Sequence, residues 1–353
     1  MHPKLKEIFE FIIEQGASDL HILPASFPIM RKDGELYPLT HYDVLTNQDT
    51  EKLLFSLIDE DLIERLKKQK DIDFSFFLNE TYRFRANIYL QFNGWAGAFR
   101  LIPNEIKSIE ELNLPPIIYE FIERRQGLIL VTGPAGMGKS TTLASIIDAI
   151  NHDRQDHIIT IEEPIEYVFT PDKSIISQRE IPTHSPTWYR ALKAALREDP
   201  DVIMIGELRD ALSISIALTA AETGHLVLGT LHTNSASQSI DRIIDVLPES
   251  QKNQARLQLA STLIGIISQR LVPRIQGGRI PACEVLIANN AVRNLIRENK
   301  IYQIDSVIDT HLQEGMISLD RSLANLVQMG HISLEKALEF SLNPARLKYL
   351  LEQ

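Results

Sequence analysis

The chain of 353 residues has 44% hydrophobic residues and a formal net charge of −11, the balance of a globular protein with two or three domains. Its single cysteine, Cys283, excludes an internal disulfide framework and a four-cysteine zinc site. The acidic charge makes nucleic acid a poor default partner, and the lack of a signal-peptide pattern or a long apolar run predicts that any membrane association goes through another protein.

The first hundred residues combine helical and strand-like patterns. Apolar residues recur at helical spacing over residues 5–13, and apolar and polar residues alternate over residues 17–22. Asp33-Gly34 is a turn signal that predicts a hairpin, and a helical stretch spans roughly residues 48–68. We therefore expect a small α+β domain over residues 1–101. Its further strand candidates are residues 73–76, 82–88 and 95–101.

The next segment, residues 102–116, is polar and contains Pro103, Pro115 and Pro116, which predicts a linker. Beyond it, short apolar runs alternate with helical patterns. This alternation predicts an α/β fold with a mostly parallel sheet covered by helices, and a helical end after about residue 287. The strand candidates are residues 128–131, 158–161, 202–205 and 226–228.

Residues 133–140 read Gly-Pro-Ala-Gly-Met-Gly-Lys-Ser and fit the phosphate-binding pattern G-x-x-x-x-G-K-[ST]. A strand pattern precedes them and a helix pattern follows, which argues against a chance glycine-rich turn. Glycines let backbone N–H groups turn toward a phosphate, and the helix presents its positive N-terminus to the same anion. Lys139 is expected to reach the β- and γ-phosphates, and Ser140 to ligate Mg²⁺. The predicted nucleotide-binding residues are Gly133, Gly136, Gly138, Lys139, Ser140 and Thr141.

Two further strand patterns end in carboxylates. Residues 199–207 form a hydrophobic run that ends at Glu207, the layout of a Walker B strand whose acid faces the metal or its water. The strand pattern that starts at Thr160 ends in Glu162, Glu163 and Glu166, which are candidates to orient the water that attacks the γ-phosphate. The sequence does not choose among these three acids. The alternatives are a solvated glutamate that caps a strand and exposed acids on a loop.

Histidines and arginines supply weaker candidates. His225 and His232 lie at the two ends of an apolar run, and His232 could sense the γ-phosphate, although a lone histidine is more often structural. Two histidines and one distant cysteine form no recognised zinc ligand set. Arg83 and Arg85 alternate to one face of a strand-like segment. Together with Arg100 they are surface charges or, in a ring ATPase, cations that neutralise a transition state.

The order of these motifs resembles the superfamily of secretion and type IV pilus ATPases. Residues 160–167 resemble its Asp box, residues 224–233 resemble its His box, and residues 291–298 are similar to a motif typical of its pilus retraction branch. The resemblance covers about residues 5–340 and also includes residues 17–21, 197–201 and 220–225.

The resemblance implies a PAS-like domain over residues 1–101 and a RecA-like P-loop ATPase domain over residues 117–353, with a helical subdomain from about residue 287. Assembly ATPases of pili and type II secretion usually carry a four-cysteine metal site and an additional N-terminal domain. This chain has one cysteine and begins directly at the PAS-like domain. Both features favour the retraction branch, and with it a hexameric motor that hydrolyses ATP to drive pilus retraction and twitching motility.

The resemblance also implies a location and partners. The chain is expected to be cytoplasmic and peripheral at the inner membrane, to form a homo-hexamer, and to act on an inner-membrane platform protein and indirectly on pilins, without nucleic acid. At matching positions it implies that Lys139 and Ser140 hold phosphate and Mg²⁺ and that Glu207 serves an atypical Walker B site. Glu166 is favoured as the base, with Glu162 next. The remaining implied residues are His232 as a sensor and Arg83, Arg85 and Arg100 as cations that reach a nucleotide from the N-terminal domain.

The chain departs from the family pattern in three places. Glu163 stands where the Asp box usually has aspartate, residues 181–187 lack the usual basic-acidic-threonine run, and Ala135 and Met137 replace the usual Thr and Ser. The second departure puts any arginine or aspartate role in that segment in doubt. The rival functions are a pilus or secretion assembly ATPase, a RecA-like nucleic-acid motor and a non-hydrolysing scaffold.

Overall fold

A computed structural model describes residues 1–32, 34–79, 82–102 and 105–352, and the chain folds as two units, Met1–Glu105 and Ile106–Gln353. The predicted turn residue Asp33 and the predicted linker residue Pro103 lie outside the described residues. The α/β fold class predicted for this chain is confirmed. The domain and linker boundaries proposed from the sequence stay predictions.

Over its described residues, the first unit is a six-stranded antiparallel sheet with three helices. The strands pair in the order β3-β2-β1-β6-β5-β4. The strands are β1 (Asp19–Ile22), β2 (Ile29–Lys32), β3 (Glu35–Pro38), β4 (Asp71–Phe77), β5 (Arg83–Gln91) and β6 (Gly94–Ile102). The helices are α1 (Pro3–Glu14), α2 (Asn47–Phe55) and α3 (Glu60–Gln69).

The core of this unit follows from two periodicities. On β5 the alternate residues Phe84, Ala86 and Ile88 are buried, as expected for a strand with one face against a core. Helix α1 buries its stripe of apolar residues on the same core, and the Phe9 ring lies 4.5 Å from the Phe84 ring, centroid to centroid. The unit is therefore held by a continuous aromatic and aliphatic cluster.

The second unit contains a seven-stranded sheet in the order β13-β12-β7-β11-β10-β8-β9. All neighbouring pairs are parallel except β12 and β13, which form an antiparallel hairpin. The central strands are buried along their whole length, which explains why they appear in the sequence as continuous apolar runs. The strands are β7 (Gly127–Thr132), β8 (His157–Glu162), β9 (Ile175–Glu180), β10 (Val202–Ile205), β11 (Leu226–Leu231), β12 (Leu263–Pro273) and β13 (Arg279–Ile287).

Helices cover both faces of this sheet, with one apolar cluster on each face, and a further cluster joins the β12–β13 hairpin to the last three helices. The helices are α4 (Ile117–Ile122), α5 (Lys139–Asp153), α6 (Trp188–Ala195), α7 (Ala211–Glu222), α8 (Ala236–Asp245), α9 (Glu249–Thr262), α10 (Asn290–Arg297), α11 (Ile304–Thr310), α12 (Leu319–Gln328), α13 (Leu334–Phe340) and α14 (Pro344–Leu351). Two short 3₁₀ turns, Ile301–Gln303 and Leu312–Glu314, flank α11. Among the described residues, no helix combines the length and the apolar character needed to cross a bilayer.

The parallel arrangement decides where polar segments meet. Strands β7, β11, β10 and β8 are consecutive neighbours that run in one direction, so their carboxyl ends lie at one edge of the sheet. The segments after these strands carry the glycine-rich loop, His232, Glu207 and the acids of residues 162–166. The sheet therefore places all four predicted motifs at the same edge.

Candidate nucleotide site

The glycine-rich loop joins β7 to α5 in a compact turn. Gly133 has φ 146°, and a Cβ there would lie 2.4 Å from the Gln269 carbonyl oxygen. Gly138 has φ 81° and immediately precedes α5. Side chains other than hydrogen would be strained at both positions. The turn delivers the chain directly into α5, whose N-terminus carries positive dipole charge toward the loop.

Lys139 is a buried cation held by its own loop. The residue is only 8% exposed. Its Nζ donates to the carbonyl oxygens of Gly133 at 2.8 Å and Pro134 at 2.9 Å. Burial lowers the pKa of the Lys139 ammonium, and the negative charges of Glu207 and Glu166 oppose that shift. The charges of both acids therefore favour the ammonium form of Lys139.

His232 and Glu207 complete the cluster around Lys139. The His232 ring places Nδ1 3.4 Å from Lys139 Nζ and Nε2 3.4 Å from Glu207 Oε2. A neutral ring protonated on Nε2 satisfies both contacts, since Nδ1 then accepts and Nε2 donates. Glu207 Oε2 also accepts from Arg209 Nε at 2.8 Å, and this bond raises the pKa of the Arg209 guanidinium. Arg209 was not predicted from the sequence.

The three acids after β8 occupy different surroundings. Glu162 is buried and accepts from Thr160 Oγ1 at 2.7 Å, Gln178 Nε2 at 3.3 Å and the Glu166 backbone N–H at 3.4 Å. Burial raises the pKa of its carboxyl to about 7. Glu166 is half-buried, and its negative charge raises the pKa of the Lys139 ammonium.

Glu163 is turned to other partners. Its Oε2 accepts from Trp188 Nε1 at 3.0 Å and lies 3.4 Å from Arg209 Nη1. The three acids thus differ: the charge of Glu166 favours the ammonium form of Lys139, Glu162 is buried and bonds to the Glu166 backbone, and Glu163 bonds to Trp188.

Strand β9 holds the acidic loop in place. The Gln178 amide donates to the Tyr167 carbonyl at 2.7 Å and accepts from the Phe169 N–H at 3.0 Å, while Glu180 Oε2 accepts from the Ile165 N–H at 3.1 Å. Gln178 and Glu180 are two residues apart and so face the same side of the strand. That alternation was visible in the sequence, but nothing there identified which loop the pair would meet.

The departure at residues 181–187 folds back on the same strand. His184 Nδ1 accepts from the Glu180 N–H at 2.9 Å, and Thr183 Oγ1 donates to Glu180 Oε1 at 3.2 Å. This segment thus surrounds Glu180 with polar groups, although it lacks the basic and acidic residues usual in the family.

The other predicted residues fall into two groups. Ser140 is exposed in the first turn of α5, and Thr141 Oγ1 lies 2.9 Å from the Tyr167 hydroxyl, so the glycine-rich loop and the acidic loop are joined directly. His225 lies before β11, at the opposite end of that strand from His232, with Nδ1 3.0 Å from the Ala220 carbonyl oxygen. The structure therefore brings His232 to the cluster and leaves His225 outside it.

The three predicted arginines lie in the first unit. Arg83 is buried on β5 and donates to Ser75 Oγ. Arg85 is exposed and pairs in register with Arg100, whose Nε donates to Asp19 Oδ1 at 2.9 Å. Their predicted action on a nucleotide remains a prediction.

The side chains beside the glycine-rich loop suit a metal ion that takes only one or two ligands from the protein. Within the described residues, no group of three or more His, Cys, Asp or Glu side chains is arranged to hold a metal ion. Ser140 and Glu207 supply one hydroxyl and one carboxylate at the loop. Mg²⁺ commonly binds through one or two carboxylates together with phosphate oxygens and water, so this pair fits Mg²⁺ bound with a nucleotide.

Comparison with known proteins gives consistent relationships along most of the chain. The family model described as "Type II/IV secretion system protein" matches residues 1–306. The chain is 42% identical over 335 residues to a Pseudomonas aeruginosa protein named "Type IV pilus retractation ATPase PilT", covering 95% of this chain and 97% of that protein. It is 45% identical over 311 residues to a Neisseria gonorrhoeae "Twitching motility protein", covering 88% of this chain and 83% of that protein.

Solved structures agree with this result. A crystal structure titled as the pilus retraction motor PilT with bound ADP superposes with a TM-score of 0.92 at 48% identity, covering 98% of each chain. The Legionella pneumophila ATPase DotB superposes with a TM-score of 0.81 at 29% identity, covering 96% of this chain and 95% of that one. The fold described above is therefore shared along nearly the full length of both structures.

Proposed function

This chain belongs to the type II/IV secretion system protein family, and we propose that ATP hydrolysis beside Lys139 drives type IV pilus retraction and twitching motility. The family match and the 42% identity to a pilus retraction ATPase confirm the predicted ATPase class and agree with retraction as its use. The observation that carries the proposed site is the cluster at one sheet edge, in which His232 contacts both the buried Lys139 and the carboxylate of Glu207.

Lys139 can exchange its hydrogen-bond acceptors when a nucleotide binds. Its ammonium is satisfied by two carbonyl oxygens of its own loop, which are neutral acceptors. A phosphate oxygen is a charged acceptor and forms a stronger bond with an ammonium group. In the proposed site, Lys139 therefore transfers from the loop carbonyls to the β- and γ-phosphates when ATP binds, while the N-terminus of α5 faces the same charge.

The acids divide the remaining work. We assign Glu166 as the group that orients water and receives its proton, as water oxygen bonds to the γ-phosphorus and the bond from that phosphorus to the bridging oxygen of ADP breaks. Glu162 positions the Glu166 loop, because it is buried and accepts hydrogen bonds from Thr160 and from the Glu166 backbone N–H. Bound Mg²⁺, held by Ser140 and through water by Glu207, would neutralise charge on the phosphates.

The proposal extends to partners and assembly. We infer a homo-hexamer at the cytoplasmic side of the inner membrane, in which an inner-membrane platform protein takes up the movement and pilins are withdrawn indirectly. In this hypothesis ATP favours closure of the two units across subunits, and Arg83, Arg85 and Arg100 neutralise the transition state. Loss of the γ-phosphate removes that preference for the closed state.

Cells that lack this chain test the direction of the work. If the chain drives retraction, these cells should carry more surface pili than normal and should lack twitching motility. Complementation by the Glu166→Gln variant should restore neither the normal number of pili nor the motility. Loss of pili would instead identify an assembly ATPase. Phosphate release by the purified chain, measured with and without DNA, tests hydrolysis itself; stimulation by DNA would favour a nucleic-acid motor, and absence of hydrolysis would favour a scaffold.

A further inference from the structure

Gln269, on β12, touches the glycine-rich loop at several points. The residue is 1% exposed and lies one position beyond the pairing of Ser268 with Thr132 at the end of β7. Its Nε2 donates to the Met137 carbonyl at 2.6 Å, and its Oε1 accepts from Thr142 Oγ1 at 2.9 Å. One amide thus joins the middle of the loop to the first turn of α5.

The backbone of the same residue shapes the start of the loop. The Gln269 carbonyl oxygen lies 2.4 Å from the position that a Cβ on Gly133 would take, and Nε2 lies 3.3 Å from the corresponding position on Gly138. These contacts mean that Gln269 borders the loop at its first glycine, at its middle and at its last glycine. The loop therefore has little room to change its path while Gln269 stays in place.

The chemistry of the amide is specific. The Met137 carbonyl can only accept a hydrogen bond, and the Thr142 hydroxyl here donates one, so the side chain at residue 269 must donate at one end and accept at the other. Glutamine meets both requirements. A buried ionised glutamate would set a carboxylate oxygen against the Met137 carbonyl, whereas a protonated one would donate to it.

We propose that Gln269 is a positioning residue for nucleotide binding, which holds the glycine-rich loop in the shape that receives phosphates. This inference rests on the proposed function, since it concerns the same loop. A residue that organises the loop before and during the reaction affects ground state and transition state alike. Its loss should weaken nucleotide binding and raise KM more than it lowers kcat.

The first experiment measures ADP binding by calorimetry and steady-state hydrolysis of ATP for the full chain and for Gln269→Ala. We expect Kd and KM to rise about tenfold, the effect of one lost buried hydrogen bond, with kcat within about threefold. Gln258→Ala is the matched control, because that amide also donates at 2.7 Å, to Glu222 on the surface, and should bind ADP as the unaltered chain does. A Kd for Gln269→Ala within twofold of the unaltered chain would overturn the inference.

The second experiment uses Gln269→Glu across pH 6 to 8.5. The measured quantity is the ratio of the ADP affinity of this variant to that of the unaltered chain at the same pH. We expect this ratio to be close to one at the acidic end and to fall about tenfold as the introduced carboxyl ionises. A ratio that does not change with pH would overturn the inference, and this series decides alone if Gln269→Ala does not fold. Binding by the unaltered chain and its loss in Lys139→Ala test the proposed function separately, so a failure confined to the Gln269 variants affects only this inference.

Discussion

Lys139 and Glu162 are both buried charged groups at the same edge of the sheet, but they are held in different ways. Lys139 Nζ bonds to carbonyls five and six residues away on its own loop. Glu162 bonds to Thr160 on its own strand and to Gln178 on the neighbouring strand, and it supports the backbone of Glu166. An ammonium group held by neutral carbonyls can exchange them for a phosphate. A buried carboxyl that accepts three hydrogen bonds from its neighbours instead holds those neighbours in place.

The largest effect is expected when the Lys139 ammonium group is removed. Lys139→Ala should lower kcat/KM for ATP by about 10³-fold, because the β- and γ-phosphates lose a charge that acts in a water-poor site. Phosphate release measured by a coupled assay checks this value. Lys173→Ala, at an exposed position, is the control and should hydrolyse ATP normally. Activity above a tenth of normal in Lys139→Ala would contradict the assignment.

The two acids should respond unequally to the same change. Glu166→Gln is expected to lower kcat by about 10²-fold, since an amide accepts no proton from water, while ADP affinity stays close to normal. Glu162→Gln should lower kcat much less, because glutamine still accepts hydrogen bonds beneath the loop. Single-turnover hydrolysis of both variants makes the comparison. If Glu162→Gln proves the more severe, the roles of the two acids are reversed.

A pH series tests the burial of Glu162. Its carboxyl has a pKa of about 7 in the folded chain against an ordinary value of 4.5, so the folded state binds the proton more tightly than the unfolded state. The contribution of Glu162 to stability therefore falls as pH rises from about 4.5 to about 7 and is constant above that. Glu162→Gln should gain stability relative to the unaltered chain over this window, by about 3 kcal/mol.

Urea unfolding at several pH values measures this difference between the two proteins. Glu284, another buried acid, has its pKa raised to about 7 by burial and is present in both proteins, so its effect cancels in the difference. A difference that is flat from pH 4.5 to pH 8 would show that the Glu162 carboxyl does not titrate in this range.

The smallest expected effect concerns the bond between the two loops. Tyr167→Phe removes the hydroxyl that lies 2.9 Å from Thr141 Oγ1 and should lower the free energy of unfolding by about 1 kcal/mol, with a rise of a few-fold in KM. The exposed Tyr349 provides the control variant Tyr349→Phe. An unchanged KM would mean that the glycine-rich loop and the acidic loop act independently.

The sequence predicted those parts of the site whose residues lie close together along the chain. The glycine-rich loop between strand and helix and the carboxylate after β10 follow from patterns of eight or nine residues, and the structure has a strand and a helix where those patterns require them. Arg209, Gln178 and Gln269 were missed. Each is a common surface residue type, and its importance comes from a partner that only sheet order brings near.

The sequence by itself determined the glycine-rich turn, because positive φ at Gly133 and Gly138 and the reach of Lys139 back to its own carbonyls depend on residues within one loop. It also determined the parallel sheet, through continuous apolar runs that only a doubly covered strand can bury. Tertiary structure decided that His232 joins Lys139 to Glu207 and which amide borders the loop. Met137 and Gln269 are 132 residues apart, and their 2.6 Å bond exists because β12 pairs with β7 in one particular register.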